Sequence, residues 1–320
     1  MSRFKVLVVI PCFNEVRSIG AVIDSIKSIK SSMFVMEILV IDDGSLDKSH
    51  EVALSRNVLL IRHHRNLGLG AVFRTMCEFV LSHKCDLIVT IDGDGQFDGS
   101  QVSALVQMSS ESGADIVIGS RFTAGKPKSQ PLKNYLGNLL ANYLIFLVTR
   151  KRTTDVSSGL RIYRREALLC MDSSQNFNFS QYTFLLACYL DMFVLEIPVQ
   201  VRYFDNRISR MAPSFKVFGF RVAKNTLAAI QELYPRKFFH FIASLFLVPS
   251  LFFGLIFIFH FLNTGRFSGY LFAGFGSGFF FFLTVVFWVF GLVANSLNHI
   301  KRDQIRLKQF LYQAQNQGKN

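Results

Sequence analysis

Over the first 120 residues, short apolar runs and longer mixed segments take turns along the chain. The runs at 6–10, 38–41, 58–61, 87–91 and 116–118 are rich in valine and isoleucine and have the length of strands buried on both faces. Between them, 16–30, 47–55, 69–82 and 100–112 read as helices. This alternation predicts a doubly wound, Rossmann-like α/β sheet, whose ligands sit beyond the carboxyl ends of the strands. Polar clusters stand at four of those ends, at 11–15, 42–45, 66–70 and 92–96. Four loops are therefore expected to converge on one crevice.

The pattern changes after residue 235. Neither 238–262 (FFHFIASLFLVPSLFFGLIFIFHFL) nor 270–297 (YLFAGFGSGFFFFLTVVFWVFGLVANSL) contains Asp, Glu, Lys or Arg. At about 1.5 Å per residue each crosses a hydrocarbon core of roughly 30 Å. Helices of a soluble core keep a polar stripe instead. Only NTGRFSG separates the two, so a transmembrane hairpin is expected, with both outer ends on one side of the bilayer. Arg236 and Lys237 precede it and Lys301, Arg302, Arg306 and Lys308 follow, against Arg266 alone in the link. That bias predicts cytoplasmic ends and a cytoplasmic N-terminal portion. The expected division is 1–235, a hairpin over 236–299, and a basic tail over 300–320. MSRFKVLVVIPCFNE reads as a strand entering a turn, not as a signal peptide.

Composition agrees with a membrane protein. The 320 residues include 35 phenylalanines and have a mean hydropathy of +0.32. The net charge of +13 is not gathered with aromatics into a single-strand-binding surface, so nucleic acid is not expected as a partner. Basic residues cluster at 121–165, at 202–224 and beside the apolar stretches, which suits anionic headgroups or a phosphorylated substrate at a bilayer. The segments 131–149 and 217–234 suit either core helices or interfacial helices that guide a lipid chain. Cys12, Cys77, Cys85, Cys170 and Cys188 show neither a CxxC pair nor metal spacing and read as reduced structural thiols. His63 and His64 are adjacent, so they cannot share a helix face as ligands and read as loop residues.

The chemistry gathers in LIVTIDGDGQFD (87–98), where a strand runs into Asp92 and Asp94 with Gln96 two residues on. Two carboxylates this close repel unless a cation lies between them. Neither GxGxxG after the first strand nor GxxxxGK[ST] occurs, which disfavours a dehydrogenase-type dinucleotide site and a P-loop. What remains is a nucleotide site in which Mg2+ or Mn2+, held by carboxylates, neutralises a diphosphate.

Seven segments carry a family resemblance: VVIPCFNE (8–15), IDDGSLDKS (41–49), NLGLGAV (66–72), IDGDGQFD (91–98), IVIGSRF (116–122), DVSSGLRIYRRE (155–166) and EIPV (196–199). In order and spacing they resemble glycosyltransferase family two, and more narrowly the dolichyl- and polyprenyl-phosphate sugar synthases. The resemblance covers about 4–235 and implies an A-type glycosyltransferase domain followed by the membrane hairpin. It implies that Pro11, Phe13, Glu15 and Asp43 hold the nucleoside, that Asp92 contacts the nucleotide, and that Asp92, Asp94 and Gln96 position the metal. Arg121 and Arg161 match arginines that face the acceptor phosphate and the diphosphate, so they join Asp94 as the expected catalytic residues. Lys133, Arg207 and Lys216 are the other expected contacts of the acceptor phosphate. Here the sequence departs from the family, because Phe215 stands between Ser214 and Lys216, where many relatives carry a Ser-Lys pair.

The implied reaction is metal-dependent, inverting transfer of a hexose from a UDP- or GDP-linked donor to a polyprenyl or dolichyl phosphate. The membrane helices also offer a route to homo-oligomers. Two alternatives stand beside this reading: transfer to another lipid acceptor, and an inactive nucleotide-sugar-binding scaffold.

Overall fold

The computed structural model describes residues 3–123, 125, 127, 130, 132–171, 179–202 and 215–317. Among these, seven strands form one sheet: β1 (Phe4–Cys12), β2 (Phe34–Asp42), β3 (Leu59–Arg62), β4 (Leu87–Thr90), β5 (Ile116–Ser120), β6 (Arg161–Arg164) and β7 (Val194–Pro198). Their order is β3-β2-β1-β4-β6-β5-β7, and β6 alone runs antiparallel to its neighbours. The five apolar runs of the sequence become β1 to β5. The other two strands are short and partly polar: β6 is RIYR, and β7 (VLEIP) is an edge strand carrying a glutamate and a proline.

The four expected helices are present as α1 (Ile19–Lys27), α2 (Ser49–Leu54), α3 (Leu69–Ser82) and α4 (Val102–Ser112). Val6, Val8 and Ile10 of β1 are packed in one buried cluster with Ile19, Ile23 and Ile26 of α1 and with Leu105 and Val106 of α4. Each such side chain contributes about 1.5–3 kcal/mol on burial. Register then levels the strand ends. Cys12 pairs with Asp42 and Val9 with Thr90, so the loops after β1, β2 and β4 leave the sheet side by side. Arg161 lies between Thr90 and Ile118 in the ladder, so Asp92 and Ser120 each stand two residues beyond the same level.

Four further helices follow: α5 (Leu132–Thr149), α6 (Arg165–Leu169), α7 (Phe179–Tyr189) and α8 (Phe215–Leu233). Leu136, Leu139, Leu140, Tyr143 and Leu147 of α5 are exposed, at a spacing that places them on one helix face. Asn138 and Asn142, on the opposite face, are buried.

The chain divides into two compact units, Met1–Thr226 with Arg306–Asn320, and Leu227–Ile305. The second holds the hairpin of α9 (Pro235–Thr264) and the first part of α10 (Leu271–Gln317). Both helices are long and apolar enough to cross a membrane, and only 11% and 6% of their most apolar windows are buried. Polar pairing across the hairpin is reciprocal. Ser250 Oγ donates to the Ser277 carbonyl at 3.0 Å, and Ser277 Oγ donates to the Ser250 carbonyl at 2.9 Å. Phe246 stacks on Phe287 with ring centroids 5.3 Å apart.

Candidate active site

The first two loops are bound to each other by their own polar side chains. Asn14 adopts φ +56°, a conformation that asparagine tolerates. Its backbone N–H donates to Ser45 Oγ at 2.8 Å, and its side-chain Oδ1 accepts from the backbone N–H of Leu46 at 2.8 Å. The Glu15 N–H donates to Ser49 Oγ at 2.8 Å, and Glu15 Oε2 accepts from Ser18 Oγ at 3.0 Å. Asp42 is fully buried; it accepts from Ser45 and forms an ion pair with Arg62 at 3.1 Å. Asp47 accepts from the N–H of Ser49 at the start of α2.

Asp43 joins the second loop to the third. It is buried, and its Oδ1 accepts from the Leu67 N–H at 2.9 Å while Oδ2 accepts from the Gly68 N–H at 2.8 Å. His63 Nδ1 lies 2.7 Å from Asp43 Oδ1, and His63 Nε2 lies 2.9 Å from Thr75 Oγ1. His63 is therefore more than a loop residue, because it supports a predicted nucleoside contact. Its spacing from His64 carried no signal of this, since the partner is brought by β2. Gly44 has φ +71°, and a Cβ there would meet the Arg65 backbone at 2.3 Å, so this loop admits only glycine.

The fourth loop presents Asp92, Asp94 and Gln96, all partly exposed. Asp94 Oδ1 accepts from the Gln96 N–H at 2.9 Å, which closes the turn. Ser18 Oγ donates to the Gly93 carbonyl at 2.9 Å and so joins this loop to the first. From the segment after β7, the Arg202 N–H donates to the Gln96 carbonyl at 2.9 Å. Asp92 lies against the backbone of Gly159, where an added Cβ would stand 2.3 Å from its Oδ2. The segment before β6 thus forms one wall beside the acidic pair.

That segment also holds Arg121. Arg121 Nε donates to Asp155 Oδ2 at 2.7 Å and its second terminal nitrogen to Oδ1 at 2.8 Å, a two-pronged fork on a fully buried carboxylate. Such planar pairing fixes direction as well as charge. The loop bearing Asp155 is clasped from three sides. Glu196 of β7 accepts from the Thr154 N–H and hydroxyl, while Asn138 and Asn142 of α5 donate to the Thr154 carbonyl at 2.9 and 2.7 Å. Ser158 Oγ donates to the Gly119 carbonyl at 2.6 Å. The burial of Asn138 and Asn142 within an apolar helix was the available sequence signal for this clasp.

Arg161 occupies a different setting from Arg121. It is fully buried and donates to the Ser158 carbonyl at 2.9 Å, the Val156 carbonyl at 2.7 Å and Thr183 Oγ1 at 3.0 Å. It pins the 156–158 turn from below. Pro11 lies near the end of β1 and Phe13 at the start of the first loop, both half-buried. Lys133 is in the first turn of α5 and Lys216 in the first turn of α8, and Arg207 falls outside the described residues.

Among the described residues, no three His, Cys, Asp or Glu side chains are grouped to hold a metal. Two aspartates and an amide oxygen, all hard donors and partly exposed at the crevice, fit Mg2+ or Mn2+ that takes its remaining ligands from a diphosphate and water.

Comparison with known proteins gives a consistent family. The pattern of glycosyl transferase family 2 matches residues 7–171. A UDP-N-acetylglucosamine–dolichyl-phosphate N-acetylglucosaminyltransferase of Methanococcus voltae is 24% identical over 237 residues, covering 67% of this chain and 93% of the relative. An undecaprenyl-phosphate mannosyltransferase of Micrococcus luteus is 25% identical, covering 61% and 82%. In fold, the chain is similar to glucosyl-3-phosphoglycerate synthase from Mycobacterium tuberculosis in complex with Mn2+, UDP and glucosyl-3-phosphoglycerate. The TM-score is 0.55 at 18% identity, over 71% of this chain and 79% of that one.

Proposed function

The chain belongs to glycosyl transferase family 2 and is a glycosyltransferase, and we propose that it moves a hexose from a UDP- or GDP-linked donor to a polyprenyl or dolichyl phosphate. One observation carries this reading. The acidic loop of Asp92 and Asp94 and the cation of Arg121 leave the sheet beyond the same ladder level. An acidic pair suits a metal-bound diphosphate, and a held arginine beside it suits a second anion. Two relatives that transfer different sugars share a lipid phosphate as acceptor in their names, which supports the acceptor class and leaves the sugar open.

In this reading Pro11, Phe13, Glu15 and Asp43 form the nucleoside end of the crevice. Asp43 is already engaged by Leu67 and Gly68, so it acts by shaping the third loop against the base. Asp92, Asp94 and Gln96 would hold a divalent ion, which would supply positive charge to neutralise the diphosphate. Arg121 receives the acceptor phosphate, and Lys133, Lys216 and Arg207 are further candidates for that contact. Arg161 acts one step removed, by fixing the turn that carries Gly159 and by supporting the loop of Asp155. An acceptor monoester with a second pKa near 6 is largely dianionic at neutral pH, so its oxygen needs no general base. That oxygen forms a bond to the anomeric carbon as the bond to the nucleoside diphosphate breaks, and configuration inverts. Arg121 lowers the repulsion between the two anionic substrates.

The apolar helices α9 and α10 support membrane residence. In this reading α5, with its exposed leucine face, and α8 are interfacial helices, and the Lys and Arg bias supports a cytosolic catalytic domain.

The test is transfer in membranes containing the full-length protein, a panel of labelled UDP- and GDP-sugars, and either polyprenyl phosphate or the unphosphorylated polyprenol. The expected product forms only with the phosphate and releases its sugar in mild acid. Transfer to the polyprenol with the phosphate inert would overturn the acceptor assignment.

A further inference from the structure

A cavity of about 240 Å³ lies away from the crevice, bounded by α7, by β7 and by the segment after α5. Its apolar wall is built by Phe184 and Cys188, one helical turn apart on α7, with Met192 and Val194. Phe184, Cys188 and Met192 are buried, whereas Phe193 beside them is half exposed. The charged wall is formed by Lys151 and Arg152, both exposed, and by Glu196. Arg152 is steadied over the Phe146 ring, its guanidinium carbon 5.8 Å from the centroid.

Two cations, Lys151 and Arg152, stand at this cavity with the carboxylates of Glu196 and the nearby Asp191. The Glu196 carboxylate is turned to its own chain, accepting from Thr153 Oγ1 and from the N–H and hydroxyl of Thr154. Burial pushes the Cys188 thiol up to about 11, with the Lys151 charge opposing that rise and the exposed Asp191 adding to it. Lys151 lines the cavity together with Cys188, and Asp191 is the further acidic group nearby. A guanidinium fork next to an ammonium matches a phosphate better than a neutral group. The volume equals about eight waters at roughly 30 Å³ each, room for a short hydrocarbon segment.

We infer that this cavity is a second ligand site, taking a phosphate-headed amphiphile with its phosphate between Lys151 and Arg152 and its apolar end against Phe184 and Met192. The site stands independently of the transferase reading. It also has a direct structural link to the crevice, because Glu196 both lines the cavity and clasps Thr154, next to the Asp155 that holds Arg121.

The test uses full-length protein in phosphatidylcholine nanodiscs, titrated calorimetrically with hexyl phosphate, inorganic phosphate and hexanol. Hexyl phosphate is expected to bind at least tenfold more tightly than either fragment. The double variant Lys151→Ala, Arg152→Ala is expected to weaken it at least tenfold, and Val194→Trp, which fills the cavity, to do the same. Arg121→Ala should leave this binding unchanged, and nucleotide-sugar binding should survive the Lys151, Arg152 double variant. Vesicles of phosphatidic acid that displace hexyl phosphate would assign the natural ligand to the bilayer; failure to displace it would assign a soluble monoester. Equal binding of inorganic phosphate, no binding of hexyl phosphate, or binding lost in Arg121→Ala but kept in the double variant would overturn the site.

Discussion

Asp92 and Gly159 stand in direct contact across the crevice, the carboxylate of one lying where the other would carry a Cβ, 2.3 Å from Asp92 Oδ2. The contact joins the metal-binding candidate to the turn before β6, so the position of Asp92 depends on a residue 67 places later in the chain. Gly159→Ala should push the Asp92 carboxylate aside while leaving the sheet intact. The expected outcome is a fall of at least tenfold in kcat with a thermal transition within a few degrees of the parent. Normal turnover by this variant would show that the contact is irrelevant to catalysis.

The acidic loop should make donor binding metal-dependent. With a chelator present, calorimetric affinity for UDP or GDP is expected to drop at least tenfold. Added Mn2+ should restore it in the parent protein and fail to restore it in Asp94→Ala, since the two aspartates need a cation between them.

The Arg121–Asp155 fork should separate acceptor from donor effects. Arg121→Ala is expected to raise the acceptor KM and lower kcat while donor affinity stays within twofold. Asp155→Ala removes the fully buried carboxylate of a largely buried ion pair, at a cost of about 3–5 kcal/mol. A transition lowered by roughly 6–15 °C, read by differential scanning fluorimetry in detergent, is the expected result.

Arg161→Ala should behave differently from Arg121→Ala. Because all three of its recorded donations go to its own domain, its loss should lower the thermal transition and weaken donor binding together with transfer. A variant that folds with parental stability and loses only acceptor binding would place Arg161 at the acceptor after all.

Alkaline pH should weaken the fold through its buried thiols. Burial raises Cys12 to about 12 and Cys85 to about 11, against roughly 8.5 for an unfolded thiol. Such a group contributes its full stability below the unfolded value and loses it as pH rises toward the folded one, at up to about 1.4 kcal/mol per pH unit per thiol. Stability should therefore fall between about pH 8.5 and 11, and Cys85→Ala should make that fall shallower in denaturant titrations.

Much of this molecule was legible in its sequence because the relevant signals are local. A run of β-branched residues becomes a strand wherever both its faces are covered, so β1 to β5 and the loops at their ends could be placed by period alone. The same holds for α9 and α10, where apolar length without charge decides the element. The acidic pair stands out in the sequence because its two members are only two residues apart. The pairings that make a site from these parts are of another kind. Arg121 meets Asp155 across 34 residues, Asp43 is held by the third loop, and Asp92 rests on Gly159. The first and last of these exist because β6, too short and too polar to announce itself, enters antiparallel between β4 and β5 and carries the 153–161 segment to the crevice, whereas Asp43 meets the third loop because β2 and β3 are neighbours. The order of strands in a sheet is set by long-range packing, which no local period encodes, so only the tertiary structure could separate the partly exposed Arg121 from the fully buried Arg161.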